Sequence, residues 1–441
     1  DGAAGFDGLE RFENQGLLNL ADGSADDSID FTGIAFTGGT DSVLAFDVLR
    51  QSDGTVAADS IAFGGVDGTT TIRIAGDEDL TLDTAVGLIT FNGTVADGAF
   101  RIDAETADAG FMQWRLVQGA SGLALATSPD AEVFEVAQAG GIATGFWHRS
   151  ADAFRIQAAR SRSRDAREGR ENGVRGWIDV FNGGRDGEAV ELSTQHDGQT
   201  FTQSLVRDED ASGVTGGLSL VRGAANFGLI AGFTQTEARF EGTGNRFSMD
   251  GVTAGLTAGW QDGPYFANAL AKIDSGTLAM EMLSADERVE TDVTVLGASG
   301  EIGARFGQGG VWFEPVASLS WVSASIDAVS FDTGSFALDD GESLLAEIGG
   351  RLGNSLMLGN WTVRPAAGLF LVSELSGENG AAYTSGSTTL DLTDEPVGSY
   401  GRIELGVTFE LGERFDLSVG GESYTGDQSG GTMRVGAAVT F

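Results

Sequence analysis

The 441-residue chain contains no cysteine, so it can build neither a disulfide framework nor a thiolate metal site. Five prolines stand against 68 glycines, which excludes a Pro/Gly-rich disordered chain and points to a glycine-rich β protein. Although 41% of residues are hydrophobic, no uninterrupted apolar run is long enough for a membrane helix. That excludes a helical membrane protein but not a barrel, whose strands dilute apolar side chains to every second position. Lys272 is the only lysine, and His148 and His196 are the only histidines. A Gly-x-Ser-x-Gly elbow, His-Glu-x-x-His, a P-loop and Gly-x-Gly-x-x-Gly are all missing. His196 beside Asp197, in the loop-like stretch 185–200, reads as surface. No enzyme activity, cofactor or metal site is therefore expected. The Asp-rich pieces 25–30 and 64–68 lack the nonapeptide repeat of calcium solenoids and read as turns. The chain opens on Asp1 without Met or a signal peptide, so a fragment or mature form is expected.

The net charge of −39 argues against nucleic acid as a partner, because like charges repel within a Debye length. It reads first as solubility of exposed loops, and second as divalent-cation binding by them.

Three textures divide the length, which has room for two domains. Residues 1–130 hold brief strand-like runs, Leu17–Leu20, Ser42–Phe46, Ser60–Phe63, Thr70–Ile74, Leu88–Phe91 and Ala99–Ile102, with turn residues between them. Such a series predicts a β-solenoid whose coils bury one another, of irregular period. Trp114–Val117 and Gly122–Leu125 predict a hairpin that closes the stack. Residues 131–172 form a linker that favours helix, with Gly140-Gly141 weakening its start and a firm helix from about 142 to 168. Its second half is rich in arginine: Arg149, Arg155, Arg160, Arg162, Arg164 and Arg167.

Residues 173–441 alternate with period two. Twelve strands are expected, near 173–184, 210–222, 226–240, 247–261, 264–275, 291–306, 311–325, 342–356, 361–375, 397–411, 414–424 and 430–441. An even number suits a closed antiparallel barrel. In 401–411, Ile403, Leu405, Val407, Phe409 and Leu411 oppose Arg402, Glu404, Gly406, Thr408 and Glu410. Arg175 and Asp179, Glu301 and Arg305, and Glu347 and Arg351 share the polar faces of their strands in the same way. Paired charges of both signs suit a confined lumen, with the apolar faces turned to lipid. Trp260, Tyr265, Phe306, Trp312, Phe313, Trp361, Tyr400 and Phe409 fall near strand ends, as interfacial girdles do. Short connections at 261–264, 306–310 and 411–414 contrast with long acidic ones at 276–290, 326–341 and 376–396, the asymmetry of an outer-membrane barrel.

This order of solenoid, Arg-rich helix and twelve strands resembles the autotransporters of Gram-negative bacteria (type V secretion). Gly145-Phe-Trp-His-Arg-Ser-Ala-Asp-Ala-Phe154, the Arg-rich helix and Gly173-Val-Arg-Gly-Trp177 look like the family's pore-spanning helix entering its first strand. Gly436-Ala-Ala-Val-Thr-Phe441, with Gly436, Val439 and Phe441, is similar to the C-terminal signal read by the barrel-assembly machinery. The run from Phe6 to Phe46 looks like the end of a pertactin-type passenger solenoid, and its last strands like the autochaperone region. The resemblance implies an all-β fold: a twelve-stranded transmembrane barrel with a pore-spanning α-helix, preceded by a β-solenoid. It implies a monomeric translocation unit in the outer membrane that displays its own N-terminal passenger on the cell surface. Its partners would be outer-membrane lipid and lipopolysaccharide, the assembly machinery and periplasmic chaperones.

The dimensions agree. A helix of about 26 residues is roughly 39 Å long, enough to cross a bilayer, and twelve strands enclose more room than the eight that side chains fill. The helix arginines would need acidic partners, for which Asp179, Glu301, Glu347 and Glu404 are candidates. Two other readings stay open: a porin-like channel with a periplasmic N-terminal domain and its Arg-rich segment outside the pore, and an outer-membrane hydrolase using His196.

Overall fold

The structure, a computed structural model, describes all residues except 1, 2, 6, 7, 77–80, 83, 169–171, 284, 285, 309, 333, 360, 395–397 and 413. Residues 3–5, 108, 109, 166–168, 308, 378 and 394 are described by backbone alone. The chain divides into two compact units, one of residues 1–133 together with 332–335 and 384–389, and one of residues 134–331, 336–383 and 390–441.

The first unit is a solenoid of three parallel sheets. One stacks Ala3–Gly5, Ser28–Phe31, Ser60–Phe63 and Ala85–Phe91; a second stacks Leu17–Asn19, Val43–Arg50, Thr70–Gly76 and Phe100–Ile102; the third stacks Arg11–Asn14, Ala35–Gly38 and Val66–Gly68. Partners in adjacent coils are Leu17 and Val43, Val43 and Thr71, and Ser28 and Ser60, so coil length varies, as the irregular period predicts. Inward-pointing Phe12, Phe31, Phe36 and Phe63 stack with centroids 4.4–5.8 Å apart. A polar ladder runs beside them, from Asn14 to Ser42 at 2.9 Å and from Ser42 to Thr70 at 3.0 Å. Buried carboxylates hold the coil turns. Asp47 accepts the N–H groups of Asp22, Gly23 and Ser24, and Asp59 those of Asp27 and Asp47. Burial pushes the Asp59 carboxyl up, although both of those bonds oppose the shift. The hairpin Met112–Gln118/Gly122–Pro129 pairs antiparallel with Ala85–Phe91 and ends the stack.

At the start of the second unit, α1 (Ala131–Val136), whose first residues belong to the first unit, leads into α2 (Ala139–Glu168). Twelve strands follow: β1 (Gly173–Gly187), β2 (Arg207–Arg222), β3 (Ala225–Phe240), β4 (Arg246–Asp262), β5 (Tyr265–Met282), β6 (Glu287–Ala304), β7 (Val311–Ile326), β8 (Gly341–Gly353), β9 (Trp361–Ser385), β10 (Ser399–Leu411), β11 (Phe415–Gly426) and β12 (Gln428–Thr440). Each pairs antiparallel with the next, and β12 pairs with β1 from Arg175–Thr440 to Gly187–Gln428, which closes the barrel. The exposed members of the alternation are apolar: Ile178, Leu218, Leu229, Leu256, Ile302, Ile348, Leu369 and Leu405. The buried members include Arg402, Glu314, Asp179 and Arg434. That is the inside-out pattern of a barrel in lipid.

The stretches 276–290 and 376–396, expected as long loops, are mostly strand. The reason lies in a reversal of polarity along each strand. In β4 the outward residues run Arg246, Ser248, Asp250, then Val252, Ala254, Leu256; the inward ones run Phe247, Met249, then Gly251, Thr253. β5 reverses likewise, with Leu278, Met280 and Met282 buried inside. Above the lipid band the wall becomes an ordinary soluble barrel with an apolar core. The stretch 185–200, expected as loop, closes β1 and then forms the hairpin Val190–His196/Gln199–Leu205, with positive φ at Asp197 and Gly198 in its turn.

Candidate functional site

The site is the lumen and the helix inside it. At its upper end the helical segment is tied to the outer rim. Glu135 accepts from Thr243 and Asn245 in the β3–β4 loop at 2.6 and 2.7 Å, and Gln138 accepts from Arg207 at the top of β2 at 2.8 Å. At its lower end Asp165 accepts from Arg175 near the start of β1 at 2.5 Å, and Arg164 lies 3.4 Å from Asp416 near the start of β11. The chain therefore rises through the pore from the rim of short turns, and α2 extends three residues further up than expected. Gly140-Gly141 does not break it, because tertiary contact overrides propensity here. A Cβ on Gly140 would sit 2.8 Å from Asn379 Oδ1 and 3.3 Å from the Gly341 Cα, so only glycine lets the helix approach the wall.

The lumen has two storeys. In the upper one Ile142, Ala143, Phe146 and Trp147 of the helix are fully buried at the level where the wall turns apolar. The Trp147 indole N–H donates to the Lys272 carbonyl at 3.3 Å, and the Lys272 ammonium lies 4.3 Å from the ring centroid. The same ammonium bonds Ser150 at 2.8 Å and Asp274 at 2.6 Å, which pins the boundary between the storeys. His148 Nε2 lies 3.4 Å from the Ser343 hydroxyl.

The lower storey is ionic. Successive helix residues rotate by about 100°, so Arg155 and Arg162 share one face while Arg149, Arg160 and Arg164 share the other. Arg155 pairs with Glu404, with Glu422 at 2.6 Å and with Asp152 at 3.2 Å. Arg162 meets Glu301 at 3.0 Å and Glu314 at 2.7 Å. On the opposite face Arg149 pairs with Glu209, and Arg160 with Asp179 at 3.1 Å. The helix is thus gripped from two sides. Wall-to-wall pairs complete the network: Arg305–Glu314 at 2.6 Å, Arg351–Glu404 at 2.9 Å, Arg402–Glu347, and Arg434–Asp179 at 3.1 Å. Lumen arginines and carboxylates are matched nearly one for one, so the charge of −39 resides elsewhere in the chain.

The helix arginines and wall charges named from the sequence thus meet as ion pairs in the lumen, apart from Arg167, whose side chain lies outside the described residues. Glu314, Glu422, Asp416, Arg434, Arg364, Lys272 and Asp274 were not singled out, although strand parity places each on a polar face. Trp312 and Tyr400 are corrected. Both face inward, Trp312 against the Arg305 guanidinium at 3.9 Å and Tyr400 against Tyr424 at 6.0 Å. Gly436, named for the C-terminal signal, faces the lumen. A Cβ there would meet Arg160 Nη1 at 2.8 Å and Asp179 Oδ2 at 3.1 Å, so glycine makes room for that ion pair. Val439 and Phe441 lie on the outer face, with the Phe441 ring against the Gly176 position. The porin-like alternative needs the Arg-rich segment outside the pore, and it is inside.

The family model described as the autotransporter β-domain matches residues 189–422, just over half of the chain. Among solved structures, the chain is similar to the β-domain of the Bordetella autotransporter BrkA, with 20% identity over 61% of this chain and 100% of that one and a TM-score of 0.46. It is also similar to the transport unit of AIDA-I from Escherichia coli, with 13% identity over 62% and 92% and a TM-score of 0.48. The translocator domain of NalP from Neisseria meningitidis matches with 15% identity over 71% and 100% and a TM-score of 0.49. No curated protein matches the chain.

Proposed function

We propose, because the chain belongs to the autotransporter β-domain family, that its barrel carries residues 1–130 through the outer membrane and holds them on the cell surface. Its membership makes it an outer-membrane translocation unit. The surface position of the solenoid is our reading, and the direction of the helix supports it: the chain leaves the barrel at the rim opposite Phe441. In this reading the barrel is a monomer and performs no catalytic step. Gly436, Val439 and Phe441 carry its recognition by the barrel-assembly machinery after periplasmic chaperones deliver it, and lipopolysaccharide surrounds its outer half. A tag at the N-terminus should be labelled in intact cells. Labelling that requires permeabilising the outer membrane would place the solenoid in the periplasm and end this reading.

Folding of the solenoid outside the cell would bias export, since neither a nucleotide motif nor an energy source at that membrane is available to the chain. The hairpin Met112–Gln118/Gly122–Pro129 covers the last long strand, so it is the natural nucleus. A chain lacking residues 99–126 should insert normally yet display a solenoid that added protease digests. A protease-resistant solenoid in that variant would contradict vectorial folding.

A further inference from the structure

One contact between helix and wall is specific in shape as well as in charge. On the inner face of the barrel Gly255 of β4, Lys272 of β5 and Gly297 of β6 are cross-strand neighbours. Neither glycine has a positive φ, so each is there for space and not for its backbone. A Cβ on Gly255 would lie 2.6 Å from the Lys272 Cβ. One on Gly297 would lie 2.6 Å from Cε2 and 2.8 Å from Nε1 of Trp147. The wholly buried Trp147 indole therefore fills a slot in the wall. It is held there by the Lys272 carbonyl, by the ammonium beside the ring, and by the bond from that ammonium to Ser150 one turn below. The next inward positions of β6, Val295 above and Ser299 below, carry side chains and offer no such slot. Gly341 and Gly436 also make room for the helix, but for backbone at Gly140 and for the flexible tip of Arg160.

The ion pairs below the slot do not by themselves fix how far the helix has travelled. Arg160 and Arg164 lie one turn apart on one face. A helix raised by that turn, about 5.4 Å, would offer Arg164 to Asp179 in place of Arg160. Arg155 and Arg162 repeat after two turns, among Glu301, Glu314, Glu404 and Glu422. An arginine stem adapts to such a shift and a rigid indole does not. Trp147 is the only tryptophan of α2, so no other register refills the slot. We propose that Trp147 is the positioning residue that sets where the exported chain comes to rest. Movement ends when the indole enters the slot at Gly297, and that register decides which residues stand at each rim. The proposal rests on the reading that the chain passes through this pore.

The register is read by proteolysis of the full chain, extracted from outer membranes in detergent. Proteinase K is added in urea below the barrel's own unfolding transition, and the mass of the barrel-protected fragment gives its first residue. The wild-type chain should leave one fragment. Trp147→Ala and Gly297→Val, each shown to be folded by heat-modifiable migration, should leave boundaries displaced or spread by about one helical turn, three to four residues. Trp147→Phe, which keeps a ring for the slot, should hold the wild-type boundary. A single wild-type boundary in both Trp147→Ala and Gly297→Val, whatever their stability, overturns the proposal and leaves the register to the ion pairs. A boundary that moves in Glu135→Ala but not in Trp147→Ala assigns it to the rim ties and likewise overturns the proposal. The N-terminal tag in intact cells decides the export reading separately. With the tag hidden in the periplasm, a slot-dependent boundary marks a docking position and not an end point of export, and the proposal falls with that reading.

Discussion

Deleting residues 131–168 should convert a weakly conducting barrel into an open pore, raising single-channel conductance by about tenfold or more. A helix with its side chains is about 10–12 Å across, comparable with what twelve tilted strands leave free. Its upper half is fully buried at Ile142, Phe146 and Trp147, so the plug is tightest toward the outer rim. The same deletion changes selectivity. Within the lower storey it removes Arg149, Arg155, Arg160, Arg162 and Arg164 against Asp152 and Asp165. Glu132 and Glu135 go from the upper end, and Arg167 and Glu168 offset each other, so Glu404, Glu422 and Asp179 lose partners in the lumen. The open pore should therefore prefer cations. Planar-bilayer recordings of the purified barrel check both effects, with heat-modifiable migration in SDS establishing that the shortened chain still closes. A folded deletion variant that conducts no better than the full chain would show that the helix is not what blocks the pore.

Most of the architecture was legible because one rule governs it. Period-two alternation placed all twelve strands, and the inverted faces followed from Arg402 and Glu404 standing opposite Ile403 and Leu405. Period alone could not show where along a strand inside and outside exchange polarity. Phe247 and Met249 belong to the inward row yet are apolar, because that part of the wall stands above the lipid and needs a core. The outer stretches therefore looked like loops when they are strands. Trp312 and Tyr400 show the matching error. Closeness to a strand end suggested a girdle, whereas parity, which wins, turns both rings into the lumen. The helix start was misplaced because Gly140-Gly141 is costly for an isolated helix, and the wall glycine that repays it, Gly341, is about 200 residues away in sequence. Individual ion pairs were beyond reach for the same reason. The sequence names donors and acceptors on polar faces, but the rotation of the helix decides which ones meet.

Glu314→Ala should be among the most damaging single substitutions in the barrel wall, costing about 3–5 kcal/mol. Glu314 is wholly buried, with Arg162 at 2.7 Å, Arg305 at 2.6 Å and Arg351 at 3.5 Å. It is the carboxylate that joins the helix to β7 and, through Arg305 and Arg351, to β6 and β8. Without it Arg305 loses its carboxylate partner, Arg162 keeps Glu301, and Arg351 keeps Glu404 and Glu301. The magnitude reflects the stranded charge more than the attraction lost, since a removed partner leaves buried charge uncompensated. An exposed pair sets the contrast. Arg288–Glu290 at 3.0 Å has both side chains more than half exposed, so Glu290→Ala should cost less than about 1 kcal/mol. Denaturant midpoints of the two variants in detergent, read by heat-modifiable migration, give the comparison. Replacing Arg162 with Met in the Glu314→Ala background should recover part of the loss, because it removes one of the three cations that faced Glu314. The Glu314→Ala barrel should also conduct more than the wild-type chain, as the helix loses one of its two grips. Equal midpoints for Glu314→Ala and Glu290→Ala would mean that water reaches the lower storey freely, and that the ionic network orients the helix without holding it.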